Sequence, residues 1–536
     1  MIVNGQGMIS EFEGGGGTPN VNCDILLRRK LFCIFATANF INHNNIITMN
    51  EEMLNLKPSK VFYYFNEITK IPRPSKKEEK ISAWLEQTGK AMGLPTKRDK
   101  VGNVLISKPA TPGKENVTPV IFQAHMDMVC EKNNDTNFDF EKDAIQTYVD
   151  GEWLKAKGTT LGADDGIGVA MALAILDDKE LEHGPIECLF TIDEETGLSG
   201  AKALEAGFMT GKMLINLDSE DEGQFFIGCA GGKDTVATLE CEYEDVKDLE
   251  EDEYCFYKIT VKGLQGGHSG DDINKGRGNA VKLLTRVLWN AYCDYGARVV
   301  DIQAGNLRNA IAREGFAVVA VPAVNVESLQ SYVKEMDATY KAEFHTTDAG
   351  VTVTIEDAPA AEKVLEETFQ IDVLNALLVC PHGVQAMSQD IPGFVETSTN
   401  LASVKKDGDK IIITTSQRSS VESRKQAIVD KVSTTFWMIG ADVVSGDGYP
   451  GWNPNPDSEV LRVLVDAYKN LFKKDPQVLA IHAGLECGLF SEKYPGLDMV
   501  SIGPTLRGVH SPDEKLEIKT VQMCWDLLIE FFRLLK

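Results

Sequence analysis

Hydrophobic positions recur along most of the chain with the spacing of amphipathic helices or of buried strands. Near the start of this patterned region, one helical face is formed by Val61, Phe62, Phe65 and Ile68. Pro72 and Pro74 end that helix because proline cannot continue the hydrogen-bond ladder. Ser75 and Glu78 then have the spacing of a capping box, which predicts a second helix after them.

Short apolar runs predict the strands of an α/β fold. In the first half of the chain they cover residues 104–106, 120–122, 189–192 and 214–217, and a longer helical run covers 169–176. In α/β sheets, ligands gather outside the carboxyl ends of the strands. Polar residues that directly follow these strands are therefore the first candidates for a functional site.

The pattern changes after the first half, beginning with an acidic stretch at 240–253. The order strand, loop, helix then occurs twice, as 256–261 with 279–291 and as 410–415 with 421–438. This recurrence hints at a duplicated α+β unit. We predict a second, α+β domain at 232–449, inserted into a first domain formed by 49–231 and 450–536.

Length and charge narrow the class of protein. A chain of 536 residues is longer than one hydrophobic core usually serves, so two domains are expected. The net charge of -26 argues against a nucleic-acid partner, because phosphate binding needs clustered lysine and arginine. No apolar stretch is long enough to span a bilayer, so no membrane partner is expected. The 11 cysteines lack C-x-x-C spacing, which favours buried free thiols and a cytoplasmic location.

The first 48 residues do not share the pattern of the rest. A glycine run at 14–17 and a basic cluster at 28–30 precede a short apolar stretch at 31–38, which superficially resembles a signal peptide. The apolar part is short for that purpose, and the basic residues come late. We therefore predict that 1–48 is a leader outside the fold.

Histidines and acidic residues follow the predicted strands in several places. The first pair is His125-x-Asp127, and the others are Asp164, Glu195, Asp218 and His510. The His-x-Asp pair is weak evidence by itself, since this spacing is often met by chance, and a single acid at a strand end is ordinarily a solvated loop charge. Taken together, donors of this kind without a thiolate suit zinc, manganese or cobalt at a catalytic site. Without Asp127, which could brace the imidazole of His125, five ligands remain. Five are too many for one open catalytic ion, whereas two ions that share a carboxylate fit.

Five motifs in this order resemble the co-catalytic zinc peptidases of the aminoacylase, carboxypeptidase G and dipeptidase group. They are His125-x-Asp127, Gly-Ala-Asp164-Asp-Gly, Asp-Glu194-Glu195-Thr-Gly, Asn-Leu-Asp218-Ser-Glu and Gly-Val-His510-Ser-Pro-Asp-Glu. Within that group, three further stretches are similar to the bacterial aminoacyl-histidine dipeptidase branch, also called peptidase D or Xaa-His dipeptidase. These are Ala-His125-Met-Asp-Met-Val-Cys-Glu131, Cys229-Ala-Gly-Gly232 and Gly266-Gly-His268-Ser-Gly-Asp-Asp-Ile273. The similarity covers residues 49–536.

The resemblance implies a mixed-sheet zinc-peptidase catalytic domain, 49–231 with 450–536, interrupted by an inserted α+β lid domain, 232–449. It also implies two divalent metal ions and a role for each site residue. Zinc is the preferred ion, with manganese and cobalt as alternatives. Asp164 would bridge the two ions. His125 and Asp218 would complete the ligand set of one ion, and Glu195 and His510 would complete that of the other. Glu194 matches the general base of the group, and Asp127 the residue that orients His125.

Three other positions match functional groups of the lid in the resembling enzymes, and a fourth, Glu486, is singled out because it precedes the final metal motif. His268 would help polarise the scissile carbonyl, and Asn309 lies in a second lid segment. Arg418 suits a bidentate grip on a free C-terminal carboxylate. Glu486 is a candidate contact for the substrate amino group. Without the resemblance, Arg418 and Asn309 would also be compatible with ordinary polar loop positions.

The predicted function is hydrolysis of short peptides, above all dipeptides with C-terminal histidine. A broader di- or tripeptidase and an N-acyl amino acid deacylase are alternatives, because the metal core is shared and the pocket residues differ. A third possibility is a protein that binds metal but catalyses no reaction. Glu194 argues against it, because a protein that only binds metal does not need an acid that is adjacent to the ligands and is not itself a ligand. A short peptide is the expected partner, and a homodimer is left open.

Overall fold

The computed structural model describes residues 51–250 and 253–536, so the predicted leader 1–48 lies outside the described residues. The α-helices are, in chain order, α1 (Glu51–Leu54), α2 (Ser59–Ile68), α3 (Glu79–Ala91), α4 (Ala163–Asp177), α5 (Glu194–Gly197), α6 (Ser199–Ala203), α7 (Ala280–Tyr295), α8 (Val326–Glu343), α9 (Glu367–Val379), α10 (Glu422–Trp437), α11 (Glu459–Phe472), α12 (Glu486–Lys493) and α13 (Ile518–Leu534). Short 3-10 helices cover Val246–Asp248 and Ala323–Asn325.

The strands follow the same chain order. They are β1 (Thr96–Arg98), β2 (Val104–Lys108), β3 (Val120–His125), β4 (Thr147–Asp150), β5 (Trp153–Ala156), β6 (Ile186–Thr191), β7 (Met213–Asn216), β8 (Gln224–Cys229), β9 (Gly231–Glu240), β10 (Tyr243–Asp245), β11 (Tyr254–Lys262), β12 (Arg298–Gly305), β13 (Gly315–Pro322), β14 (Thr352–Asp357), β15 (Lys363–Leu365), β16 (Gly383–Met387), β17 (Val395–Asp407), β18 (Lys410–Ser419), β19 (Asp442–Ser445), β20 (Gln477–Ile481), β21 (Asp498–Ser501), β22 (Leu506–Arg507) and β23 (Lys515–Glu517).

The first sheet is mixed and has the strand order β1-β2-β6-β3-β7-β21-β8-β20. Its centre, β6-β3-β7-β21, is parallel, so these strands end at the same edge of the sheet. Alternate residues of β3 divide between two cores, with Phe122 facing α2, α4, α11 and α13 and Ile121 facing α6 and α12. Burial on both faces explains why these strands form continuous apolar runs.

The second large sheet is antiparallel and has the order β14-β11-β13-β12-β17-β18-β9-β19, with β16 paired to β17. Its strands come from the chain between Gly231 and Ser445, and α7, α8, α9 and α10 contribute to its core. A four-stranded sheet, β22-β23-β5-β4, and the pair β10-β15 complete the described strands. The domain limits 232–449 stay a prediction, as does the duplication of an α+β unit.

The predicted elements are found with small shifts of their ends. The four apolar runs of the first half correspond to β2, β3, β6 and β7, and the run at 169–176 lies inside α4. In the second half, β11, α7, β18 and α10 occupy the predicted places. Strong periodicity is the most reliable local signal, because it reflects which face of an element is buried.

The predicted capping box is wrong. Helix α3 begins at Glu79 with Glu78 as its N-cap and without a side-chain cap, whereas a capping box would place the cap at Ser75. The Ser75 hydroxyl instead donates to Asp127 Oδ2 at 2.8 Å. The Glu78 carboxylate accepts from the backbone amide of Asp193 at 3.0 Å. Both side chains therefore support the loops of the candidate site rather than the helix start.

Candidate metal centre

The five residues predicted as metal ligands lie together at the carboxyl ends of the parallel strands. His125 Nε2 is 3.1 Å from Asp164 Oδ1 and 3.4 Å from Asp218 Oδ1. His510 Nε2 is 3.0 Å from Asp164 Oδ2 and 3.0 Å from Glu195 Oε2. Each oxygen of the Asp164 carboxylate thus faces a different histidine, and each histidine also faces a second carboxylate.

The fold delivers these side chains from separate elements. His125 is the last residue of β3, Asp218 follows β7 by two residues, and Asp164 lies in the first turn of α4. Glu195 lies in α5, which follows β6, and His510 lies between β22 and β23. His510 has a φ of 61°, so its backbone adopts the left-handed conformation that turns the chain at this point.

Asp127 connects His125 to the loop that carries Glu194 and Glu195. Its Oδ1 lies 3.2 Å from His125 Nδ1. The same oxygen accepts from the Glu194 amide at 3.1 Å, and Oδ2 accepts from the Glu195 amide at 3.3 Å. One fully buried carboxylate therefore orients the imidazole and fixes the backbone on both sides of the Glu194–Glu195 peptide bond.

The carboxylate of Glu194 is not part of this support. It takes part in no hydrogen bond within 51–250 and 253–536, whereas its backbone is held by Asp127. Burial raises the pKa of Glu194 well above the ordinary value of 4.5, and the neighbouring Asp218 and Glu486 carboxylates add to this rise. An acid placed in this way is available for proton transfer.

Asp165 is a further acid near the histidine, and it was not among the predicted ligands. His125, Asp165 and Asp218 offer atoms close enough to hold one metal ion, as do His125, Asp164 and Glu195. The Asp165 oxygens, however, accept from the backbone amides of His125 and Gly168, each at 3.1 Å. Because both of its oxygens are engaged, the geometry favours Asp164 as the shared ligand.

The electrostatics of the centre favour a bound cation. Burial raises the pKa of Asp218 to about 7. Hydrogen bonds that its imidazole donates to the Asp164 and Glu195 carboxylates raise the pKa of His510 to about 11. Glu195 Oε1 is buried and has no hydrogen-bond partner in the described part of the chain. Clustered carboxylates that hold imidazole protons so strongly, with a free buried oxygen among them, form a donor set that fits hard or borderline divalent ions.

Two residues that the sequence did not single out hold the Asp164 loop. The Glu514 carboxylate accepts from four successive amides, those of Leu161, Gly162, Ala163 and Asp164, at 2.7, 3.0, 2.7 and 3.3 Å. Arg73 is buried and donates to the carbonyls of Met126, Asp127 and Gly162. The one feature of the sequence that could have pointed to Glu514 is its position in the His510 motif. Arg73 lies between two prolines, and no feature of the sequence pointed to its role.

The predicted lid residues occupy different environments. Arg418 is 7% exposed, and its Nη1 donates to the Tyr449 hydroxyl at 3.1 Å. Its Nη2 is 3.5 Å from His268 Nε2, which brings these two predicted residues together. Asn309 is exposed, and its carbonyl accepts from the Ser269 amide at 2.9 Å. The backbone of Asn309 thus supports the segment next to His268.

Glu486 lies beneath the metal centre in a buried polar row across the first sheet. Its Oε2 accepts from Gln123 Nε2 at 2.6 Å and from Thr191 Oγ1 at 2.7 Å. The row continues because Asn216 Nδ2 donates to Gln123 Oε1 at 2.6 Å, and Ser501 Oγ to Asn216 Oδ1 at 2.5 Å. Burial raises the pKa of Glu486 to about 8, and its Oε1 has no hydrogen-bond partner among the residues that the structure describes. The predicted contact with a substrate amino group stays a prediction.

Comparison with known proteins identifies the family. Residues 121–533 match Peptidase family M20/M25/M40. The chain belongs to this family. Membership confirms the predicted fold class and the predicted hydrolase class. None of the helices in the described part of this peptidase has the length and hydrophobicity needed to cross a bilayer.

Relatives of known name cover most of the peptidase. It is 42% identical to the "Cytosol non-specific dipeptidase" of Escherichia coli (strain K12) over 482 aligned residues. The alignment covers 90% of this chain and 99% of the relative. The structure of the aminoacylhistidine dipeptidase from Vibrio alginolyticus has 42% identity and a TM-score of 0.85, covering 90% of this chain and 98% of that chain. The aminopeptidase PepT from Bacillus cereus shares the fold at a TM-score of 0.52 with 17% identity over 89% of this chain and 99% of that chain. The resemblance to the dipeptidase branch is thereby confirmed.

Proposed function

We propose that this peptidase hydrolyses dipeptides with a free C-terminus, including those that end in histidine, with the help of two divalent metal ions. The observation that carries the proposal is the placement of the two Asp164 oxygens, each opposite a different histidine and its neighbouring carboxylate. Asp164 would be the shared ligand, His125 and Asp218 would complete one ion, and Glu195 and His510 the other. Zinc is the ion we propose, with a cytoplasmic homodimer as the working form.

The residues around the ions would divide the reaction between them. When bound, the ion pair supplies Lewis-acid chemistry that activates water and stabilises a developing oxyanion. Glu194 would accept the proton of the attacking water and pass it to the leaving amine. Asp127 supports both parts of the site, since it orients His125 and holds the Glu194 backbone. His268, in the loop between β11 and α7, would approach the substrate carbonyl.

Arg418 supports the choice of a dipeptide with a free carboxylate. It is buried, and among the residues of 51–250 and 253–536 no acidic side chain forms a salt bridge with it; the Asp271 carboxylate, whose pKa is lowered by His268 and also by Arg418, is the acid near it. A buried guanidinium without an ion-pair partner is costly, so a substrate carboxylate is the partner that its position favours. Asn309 and Glu486 would contribute further substrate contacts, with Glu486 toward the amino group.

A broader dipeptidase is the second candidate function. The name of the Escherichia coli relative describes a non-specific dipeptidase, whereas that of the Vibrio alginolyticus structure describes an aminoacylhistidine dipeptidase. Both relatives are 42% identical to this chain, so identity does not separate them. The side chain at the C-terminal position of the substrate is the variable to measure.

The test compares substrates and metal ions in one experiment. We expect a chelated, inactive enzyme to regain activity with zinc, manganese or cobalt, and to hydrolyse alanyl-histidine and alanyl-alanine but not N-acetyl-alanine. Alanyl-histidine amide should be a much poorer substrate than alanyl-histidine. Arg418→Ala should narrow the difference in rate between the two, because it slows hydrolysis of the free acid. Equal rates on the free dipeptide and its amide in the unsubstituted enzyme would contradict the carboxylate-binding role of Arg418.

A further inference from the structure

Arg418 and Tyr449 lie in one row across the second sheet. In that row Arg418 of β18 is paired with Ser398 of β17 on one side and with Gly232 of β9 on the other. Gly232 is in turn bridged to Tyr449, with backbone hydrogen bonds of 3.1 and 2.9 Å in the two directions. Gly232 therefore stands between the arginine and the tyrosine.

The absence of a side chain at Gly232 lets the tyrosine ring reach Arg418. A Cβ at this position would lie 2.7 Å from Cε1, Cζ and the hydroxyl oxygen of Tyr449. A Cβ at Gly484 would lie 2.8 Å from Cε2 of the same ring. Since real Cβ atoms do not approach so closely, two glycines form a slot that holds the ring. The slot directs the hydroxyl to Arg418 Nη1 at 3.1 Å.

The hydrogen bond leaves part of the hydroxyl unused. A guanidinium only donates, so the Tyr449 oxygen accepts from Arg418 and its own hydrogen remains free for another acceptor. Within the described ranges, the Tyr449 hydroxyl donates to no side chain or carbonyl. Burial raises the pKa of Tyr449, which keeps the phenol protonated at neutral pH. Arg418 Nε is likewise buried without a partner.

We propose that Tyr449 determines the preference for a free C-terminus, by positioning the Arg418 guanidinium and donating its hydroxyl hydrogen to the same substrate carboxylate. This inference rests on the proposed dipeptidase function and extends it to a residue that the motifs did not include. The two donors converge because one row of the sheet carries both. This role also accounts for Gly232 and Gly484, because glycine at these two positions leaves room for the Tyr449 ring.

The main test is Tyr449→Phe, which removes the hydroxyl and keeps the ring. We expect kcat/KM for alanyl-histidine to fall roughly 10- to 100-fold, mainly through KM, because a hydrogen bond to a charged group is lost. The value for alanyl-histidine amide should stay nearly constant, and metal content should not change. Tyr292→Phe is the matched control, since its hydroxyl is bound to Glu367 at 2.8 Å on the surface of α7.

Gly484→Ala provides a second route to the same result, because the new methyl group would displace the ring without removing the hydroxyl. It too should reduce the preference for the free acid. Equal losses on acid and amide, or no loss on either, in Tyr449→Phe would overturn the inference while leaving the proposed function intact. A preserved preference in Gly484→Ala would also count against it. If the unsubstituted enzyme shows no preference for the free acid, the carboxylate site of the proposed function fails, and this inference fails with it.

Discussion

Asp127 shows how much of this site depends on a single side chain. Its two oxygens contact the His125 ring, the amides of Glu194 and Glu195, and the Ser75 hydroxyl. Hydrogen bonds and the histidine lower the pKa of Asp127 although burial opposes this, so the group stays a carboxylate and keeps accepting. At the residue scale, the candidate base and a candidate ligand are therefore oriented by the same acid.

Glu194 and Asp164 provide the residue-scale prediction. Glu194→Gln should retain two equivalents of metal while turnover falls roughly 100- to 10,000-fold, a range typical of losing a general base. Asp164→Asn should lower metal content itself, because Asp164 stands between both histidines. Metal analysis and turnover measured on the same preparations check this. Similar metal contents in the two variants would contradict the assignment of base and shared ligand.

At the scale of elements, the start of α4 depends on a distant carboxylate. The first amides of a helix lack partners within it, and here Glu514 accepts from four successive amides between Leu161 and Asp164. An anionic group at this end also suits the helix dipole. The loop that presents Asp164 to both histidines is thus held in place by a residue from the last part of the chain.

Glu514→Gln tests this anchor. An amide replaces one acceptor oxygen by a donor that faces the backbone N–H groups, so we expect a loss of ~1–3 kcal/mol in stability. Metal affinity should weaken at the same time, since Asp164 loses its support. Thermal unfolding and metal titration measure the two effects. Asp513→Asn, an exposed neighbour, is the control that separates loss of charge from loss of the anchor, and equal behaviour of both variants would refute the role.

At the scale of the whole molecule, the described residues Glu52–Lys536 form one compact unit that contains both large sheets. The short stretch from His482, which follows β20, to Glu486, the first residue of α12, contacts both. His482 Nε2 is 2.7 Å from Ser398 Oγ in the second sheet, while Glu486 binds Gln123 in the first. A change in either sheet is therefore expected to reach the site through this short segment.

The stability of the whole molecule should depend on pH through His382. Its Nδ1 accepts from the Leu401 amide at 3.3 Å, and burial, with Lys282 nearby, lowers its pKa from 6.5 to about 4. Below pH 6.5 the unfolded chain binds a proton that the folded imidazole resists. Stability should therefore fall as the pH drops from 6.5 to 4, by at most ~1.4 kcal/mol per pH unit from this group.

His382→Asn keeps an acceptor near the Leu401 amide but does not titrate in this range, so its acid loss of stability should be shallower. Urea unfolding between pH 4 and pH 7 measures the difference from the unsubstituted protein. His345→Asn, an exposed histidine, serves as the control. Identical pH slopes for His382→Asn and the unsubstituted protein would show that His382 does not contribute.

The sequence by itself determined the elements and the chemistry of the candidate site. Apolar runs marked β3, β6 and β7, and the acids and histidine after them were visible without coordinates. This succeeded because burial on both faces produces a local pattern, and because parallel strands bring their carboxyl ends to one edge. The family resemblance then supplied the roles of Glu194, Arg418 and the ligands, which stay predictions for this chain.

Only the tertiary structure revealed what holds these residues in place. Glu514 binds amides 353 to 350 positions earlier in the chain, and Glu486 contacts Gln123 across 363 positions. Tyr449 reaches Arg418 only because Gly232 and Gly484 leave a slot. Such contacts join residues far apart in the chain, or a side chain to backbone groups or to the space beside a glycine, and none of these leaves a local pattern in the sequence. Ser75 and Glu78 led to a wrong prediction for the opposite reason. Their spacing is a local pattern typical of a capping box, but the fold brings them to other partners, Asp127 and the Asp193 amide.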